Sequence, residues 1–494
     1  MSETTTTTTT TTTRLLRARP ADVGIPAAAV DAVLDGWEAR GLELHSLMVV
    51  RHGHVAAEGW WTPYSADRIH LLYSLSKSFT STAVGFAVAE GRFRLDDRVV
   101  DLLPDHAPDD VDPSVAQLTV HHLLSMSTGH REDTLERAHR LDADDPVGAF
   151  LRIPPEEPVG SRHAYNNATT YALATIVEER TGQPLLAYLR PRLLDPLGIG
   201  AARWDIDGHG VALGFTGLHL QTESIASFGQ LLLQDGQWNG QRILPDGWVG
   251  LATRKHIDND NDPNGPLDWR QGYGYQYWMA RHGFRGDGAH GQFCIVVPEA
   301  DLVVATTARV DDMQAILDVL WERLLPALDR TPADDEEAAS ARLAARLEAL
   351  VLPVVEAGHE GPDGPRTFVV EERGADQPLA PGTELTVIRD GADHLLSLRL
   401  PSAELAVLCG HDRWTEGLLG QASGVSRGSR GAPPVGPTPV VCRGGWTAPD
   451  TFEADLVLIE TPHRIRMRGN GSRLEAWWNA PPLSGAALEA HLPW

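Results

Sequence analysis

The sequence predicts an α+β fold in two domains, on three observations. At 494 residues the chain exceeds what one compact hydrophobic core accommodates. From residue 23 to about 325, segments of helical and strand period follow in mixed order, without the regular alternation of a βαβ chain. Beyond residue 350 the texture changes to short β-prone runs broken by Gly and Pro.

The elements follow in order. Residues 1–20 read as a disordered tail, mostly polythreonine through Thr13; the tract lacks an apolar h-region and is no secretory signal. Residues 21–330 form the first domain. Within it, residues 45–58 read as two strands around a turn at Gly53. Residues 78–90 have helical apolar spacing, with Phe79, Ala83, Phe86 and Ala87 on one side and Gly91 beyond the end. Thr119 caps a second helix that stops at Gly129, and residues 168–180 make a third, ended by Gly182. Residues 222–234 make a fourth with Thr222 as N-cap, and two apolar strands flank a turn at residues 298–301. Residues 331–350, rich in Ala, Glu and Arg, form a helical linker. Residues 351–494 are then an antiparallel β domain, sandwich or barrel, with β-prone runs at 367–370, 384–388, 395–400, 456–459 and 464–468. Residues 420–439 are a Gly/Ser/Pro loop.

Charge and composition narrow the partners. A formal net charge of −25 argues against nucleic acid and anionic membranes, which select basic patches. No apolar run approaches the roughly 18–20 residues of a membrane-spanning helix. Cys294, Cys409 and Cys442 are odd in number and widely spaced, so neither zinc nor a disulfide framework is expected. A reducing, cytoplasmic setting fits, with no metal and no cofactor.

Only Lys77 and Lys255 are lysines, against forty arginines. Arginine stays protonated at any working pH, whereas a buried lysine can lose its proton and act as a base. Lys77 lies three residues after Ser74, a spacing that puts both on one helix face, roughly 5–6 Å apart at Cβ. If Ser74 opens the helix, its oxygen lies near the positive end of the dipole, where an alkoxide is favoured. Lys77 can then take the hydroxyl proton once desolvation lowers its pKa. Ser76, adjacent to Lys77, faces away from it.

Tyr165-Asn166-Asn167 comes about ninety residues later, just before the third helix. The phenol of Tyr165 can relay a proton to a leaving group, and the amide of Asn167 can hold the lysine and the substrate. The plainer alternative makes Tyr165 core and Asn167 an N-cap.

Together these segments resemble the class C β-lactamase and penicillin-binding-protein-like serine hydrolases. That group includes family VIII esterases, D-aminopeptidases and 6-aminohexanoate-dimer hydrolases. The likeness continues through Leu95-Asp96-Asp97-Arg98-Val99, the segment from His122 to Gly129, residues 176–182 and Pro196-Leu197-Gly198, in family order. It implies a β-lactamase/transpeptidase-like domain, an antiparallel sheet flanked by helices. It implies Ser74 as acylated nucleophile, Lys77 as its base, Tyr165 as general acid/base and Asn167 in positioning. The family's third motif, Lys-Thr-Gly, has no counterpart in letters. Ala289-His290-Gly291-Gln292 looks like its equivalent, with the Gln292 N–H as an oxyanion donor and His290 at the substrate. Without that lysine, the cation for a β-lactam or peptidoglycan carboxylate is missing, so a small-molecule ester or amide substrate is expected. A β-lactamase, D,D-peptidase or D-aminopeptidase is the alternative, as is a non-catalytic binding protein on the same scaffold. A homo-oligomer is left open.

Other signals carry less. Gly424-Val425-Ser426-Arg427-Gly428 matches a nucleophile elbow, but the Gly- and Pro-rich run after it cannot open a helix. Residues 260–265 imitate the start of a calcium loop whose twelfth position is Gln271. His121-His122 and His52/His54 lack partners at metal-ligand spacing. Tyr273, Tyr275, Tyr277 and Trp278 either line a pocket or pack as a strand.

Overall fold

The computed structural model describes residues 14–331, 334–372, 377–420 and 437–491. The polythreonine tract, the motif at residues 424–428 and most of the Gly/Ser/Pro loop lie outside them.

The strands of the first domain are β1 (Leu16–Arg17), β2 (Glu43–Arg51), β3 (His54–Trp60), β4 (His70–Leu71), β5 (Ala202–Trp204), β6 (Leu218–Leu220), β7 (Gln237–Trp238), β8 (Gln241–Arg242), β9 (Trp278–Met279), β10 (Phe284–Gly288), β11 (Gln292–Val297) and β12 (Leu302–Arg309). Seven form one sheet in the order β1-β3-β2-β12-β11-β10-β9, antiparallel except for the β1–β3 pair. Both faces are buried, which is why these strands read as apolar runs and not as an alternation. Met48, Val50, Val296 and Val303 face a core shared with the helices Ser76–Ala89, Asn167–Thr181 and Thr222–Leu233. Leu47, Val49, Ile295 and Val304 face another core, under the helices Ala27–Ala39 and Met313–Val319.

Several boundaries differ from expectation. The tail ends before residue 20, because Leu16 and Arg17 already pair with His54 and Val55 and Leu15 is buried. The helix after Thr119 stops at Leu124, and left-handed backbone at Met126 and Gly129 turns the chain away. Gln221, not Thr222, precedes the fourth helix; the Thr222 hydroxyl instead donates to Ser46 Oγ at 2.7 Å. The linker helix, Glu336–Glu348, is no free spacer. It buries Ala339 and Leu343 in the first domain's core, and its Arg346 bridges Asp31, Asp35 and Glu38.

The second domain is one nine-stranded sheet: β13 (Arg366–Val369), β14 (Glu384–Asp390), β15 (Asp393–Arg399), β16 (Glu404–Cys409), β17 (Thr415–Leu419), β18 (Thr438–Ala448), β19 (Thr451–Val457), β20 (Arg464–Asn470) and β21 (Arg473–Trp478). Its order is β16-β15-β14-β13-β21-β20-β19-β18-β17, antiparallel but for a single parallel pair between β13 and β21. A parallel bridge from Gly410 to Arg443 draws the ends toward each other, so the sheet curls into a nearly closed barrel. Cys409 and Cys442, distant in sequence, meet in its core, where a hydrogen bond between them and burial push the Cys442 thiol well up. Val441, Val457 and Ile459 leave this core and pack into the first domain's.

Candidate active site

Ser74 lies in a 3-10 turn, Tyr73–Leu75, that leads directly into the helix starting at Ser76. Tyr73 has φ +48°, a left-handed conformation unusual for an aromatic residue, and it turns Ser74 toward Lys77. Lys77 Nζ donates to Ser74 Oγ at 2.9 Å and to the Phe215 carbonyl at 2.9 Å. Lys77 is 1% exposed. Burial strips water from its ammonium and pulls the pKa from 10.5 to about 7, against the opposing pull of Asp133 and Asp287. Ser76 faces away as expected, its hydroxyl donating to Tyr73 O at 2.6 Å and accepting from Leu218 N at 3.0 Å.

Tyr165 precedes the Asn167–Thr181 helix. Its ring lies 4.7 Å from Lys77 Nζ and stacks on Trp278 at 5.3 Å. Burial first, then Asp287, drives the phenol pKa up against a smaller downward pull from the Ser74 hydroxyl beside it, so Tyr165 holds its proton. The helix cap is Asn166, which accepts from Ala168 N at 3.1 Å and Thr134 N at 3.2 Å. Asn167 turns to Asp133, with Nδ2 2.5 Å from Oδ2 and its own N–H 3.0 Å from Oδ1. The lysine partner expected from Asn167 is instead the Phe215 carbonyl.

The strand against the Ser74 turn is β10, one strand earlier than the sequence suggested. A Cβ built on Gly288 would stand 1.9 Å from Leu72 O and 3.1 Å from Leu75 N; one on Gly286 would meet Ser78 Oγ at 2.5 Å. Only glycine lets the two backbones come this close. Ala289-His290-Gly291 is the turn after this strand, closed by Gly291 N to Gly288 O at 3.2 Å with His290 at φ +69°. His290 packs edge-on to Tyr73 and His463, at 5.7 and 5.8 Å. Gln292 opens β11 opposite Gly288, and its buried side chain donates to Ala289 O at 2.8 Å and Ala308 O at 2.7 Å. That side chain staples the hairpin and is not turned to Ser74.

Sequence reasoning missed the charges on β10. Arg285 is fully buried, 4.1 Å over Trp269, with Nε 3.1 Å from Asp287 Oδ2 and Nη1 2.8 Å from Asp268 O. Burial raises the Asp287 carboxyl pKa, while Arg285 and Lys77 pull it down. The aromatic cluster divides: Trp278 and Tyr273 surround Tyr165, while Tyr275 stacks on His256 at 3.8 Å and bonds His121 at 2.6 Å. His122 completes the Thr119 cap, His52 pairs with Asp301 at 2.7 Å and Asp260 with Arg270 at 2.5 Å. Among the described residues no group of three His, Cys, Asp or Glu could hold a metal, and no helix is long and apolar enough to cross a membrane.

Comparison with known proteins fits this geometry. The Beta-lactamase family model matches residues 13–327. The chain belongs to the β-lactamase family. Within the family it shares 27% identity over 325 residues with the 6-aminohexanoate-dimer hydrolase of Paenarthrobacter ureafaciens, covering 60% of this chain and 81% of that one. Penicillin-binding protein 4 of Amycolatopsis lactamdurans is 27% identical over 383 residues, covering 66% and 93%. The crystal structure of a Bacteroides dorei DSM 17855 protein, provisionally named a β-lactamase, superposes with a TM-score of 0.50 at 16% identity, over 60% of this chain and 99% of the other. The first domain thus carries the scaffold of the β-lactamase-family serine hydrolases.

Proposed function

We propose that this β-lactamase-family member hydrolyses esters or small amides through an acyl-enzyme on Ser74. One observation carries this: a fully buried amine, pulled to about 7, sits 2.9 Å from the Ser74 hydroxyl. Neutral Lys77 takes the Ser74 proton as Oγ attacks the carbonyl. Tyr165, kept protonated by burial, gives its proton to the departing oxygen or nitrogen and recovers one from Lys77. Water then attacks the ester on Ser74 by the reverse route. The oxyanion is met by the Ser74 N–H and by backbone at the end of β10, where Gly288 touches the nucleophile turn. Asn167 acts at one remove, holding Asp133 beside Lys77, and Gln292 and His290 shape the hairpin that supports that backbone.

Substrate choice follows from β10. Its cation, Arg285, bonds Asp287 through Nε and Asp268 O through Nη1 and lies over the face of Trp269. Lys255 is spent on Asp258 at the surface. Arg285 keeps one nitrogen, Nη2, without a partner among the described residues, but it is fully buried, and Lys255 stands paired at the surface. Neither is a free, exposed cation for the carboxylate of a β-lactam or peptidoglycan stem, which favours uncharged esters and small amides. Three unbridged cysteines fit a cytoplasmic setting.

The test is a panel of p-nitrophenyl esters of short and long chain, D-amino-acid amides and nitrocefin, with mass spectrometry of the quenched enzyme. Acetate or butyrate esters should turn over and leave an acyl adduct on Ser74. Turnover of nitrocefin at rates above the esters would move the function to the β-lactamases, and unchanged activity in Ser74→Ala would end the proposal.

A further inference from the structure

The residue before the nucleophile is held from the other domain. Tyr73 keeps its left-handed backbone, which persists only where surrounding structure enforces it. Its carbonyl accepts from Ser76 Oγ, while its hydroxyl reaches His463 Nε2, at 2.5 Å, in the second domain. His463 Nδ1 lies 2.8 Å from the Ala480 carbonyl and so carries the proton, which leaves Nε2 to accept from the Tyr73 O–H. Burial keeps this imidazole neutral, pushed down to about 3.

His463 ends the turn between β19 and β20, and that turn is clamped to the first domain along its length. Leu71 N donates to Glu460 O at 2.8 Å, three residues before Ser74. Tyr64 Oη donates to Thr461 O at 2.9 Å, and Arg203 pairs with Glu460 at 2.7 Å. Ile459 is buried in the first domain's core, and Arg464 pairs with Glu43 at 2.8 Å. His290, from the β10–β11 turn, packs edge-on against both Tyr73 and His463, so both domains close on one side chain.

We propose that the β19–β20 turn is a positioning element of the active site, in which His463 fixes Tyr73 and through it the aim of Ser74 at Lys77. The second domain then completes the first domain's chemistry and is more than an appendage. The inference rests on Ser74 being the nucleophile.

Full-length Tyr73→Phe, His463→Ala and the double variant are compared with wild type for p-nitrophenyl butyrate turnover and for the rate of Ser74 labelling by a fluorophosphonate. Each single change should lower kcat about ten- to hundredfold with KM within about threefold, and labelling should slow by the same factor. The double variant should fall no further than the worse single, because both remove one bond. Tyr73→Phe retains the ring, so a Tm within about 2 °C of wild type separates aim from folding. Wild-type kcat in either single variant, or multiplicative losses in the double, overturns the proposal. Undiminished activity in Ser74→Ala would instead remove the nucleophile assignment, independently of these variants.

Discussion

Lys77 and Lys255 are the same side chain in opposite surroundings. Lys77 is sealed between Ser74 and the Phe215 carbonyl, with the Tyr165 ring against its ammonium. Lys255 projects from a surface loop, its side chain 52% exposed, and pairs at 2.6 Å with a still more exposed Asp258. Burial makes the neutral amine accessible to the first. For the second, water is present throughout, and a guanidinium would serve as well. In a chain that otherwise uses arginine forty times, only the buried lysine offers what a guanidinium lacks, a proton that burial makes easy to lose.

The largest effect expected breaks or confirms that contrast directly. Ser74→Ala and Lys77→Arg should each lower kcat/KM on the order of a thousandfold or more, since one removes the nucleophile and the other fixes a charge on its base. Lys255→Arg should stay within about twofold. Steady-state ester hydrolysis decides it; a Lys77→Arg enzyme above a tenth of wild type would show that a permanent cation suffices.

The next effect contrasts two glycines. In Gly288→Ala the new methyl meets the Leu72 carbonyl at 1.9 Å, and backbone cannot step aside as a flexible side chain would. Strand β10 must back off the nucleophile turn, with kcat down about hundredfold and stability down about 1–3 kcal/mol. Gly53→Ala, in the β2–β3 turn at φ +74°, finds nothing within 4 Å. It should lose about 1 kcal/mol from the left-handed backbone and keep full activity. Thermal melts beside the ester assay distinguish them.

A smaller effect comes from pH. Lys77 must be neutral to act, so kcat/KM should rise with pH through about 7 to a plateau, and at pH 6 should stand near a tenth of it. Stability should move the same way over a different range. The unfolded chain keeps this proton up to about 10.5 while the folded protein gives it up near 7. The unfolded state therefore binds more protons between those values, and the Lys77 contribution to stability grows as pH rises across them. Lys77→Met should remove that slope. A flat rate profile from pH 6 to 8 would sink the base assignment.

How much of this was legible follows from what spacing can carry. Ser74 and Lys77 share one helical turn, so spacing alone points to that pair. Tyr165, read by itself, fits a core residue before a capped helix and stands out only beside that pair and through the family resemblance. Asp287 and Asp133 reach Lys77 only through tertiary packing, from strand and loop segments with no common motif. The strand beside Ser74 was misread by a few residues because Ala289-His290-Gly291-Gln292 carries the letters, whereas Gly286 and Gly288 carry the close approach. In the second domain, β14 and β15 were visible through alternating leucines and valines. β18 was hidden by Pro439, Gly444 and Gly445, which its long pairings with β17 and β19 tolerate.

The smallest effect expected returns to Lys255. Asp258→Asn removes an ion pair that water screens on both sides, and should change stability by less than about 0.5 kcal/mol and activity not at all. Lys255→Ala should lose more than Asp258→Asn. The lysine stem lies over Gly272, where a Cβ would stand 2.1 Å from Lys255 Cδ, so truncation uncovers packed surface as well as removing charge. Urea midpoints of the two variants check the order. Were Asp258→Asn the more damaging, the surface lysine would be acting through its charge after all, and the contrast with Lys77 would rest on exposure alone.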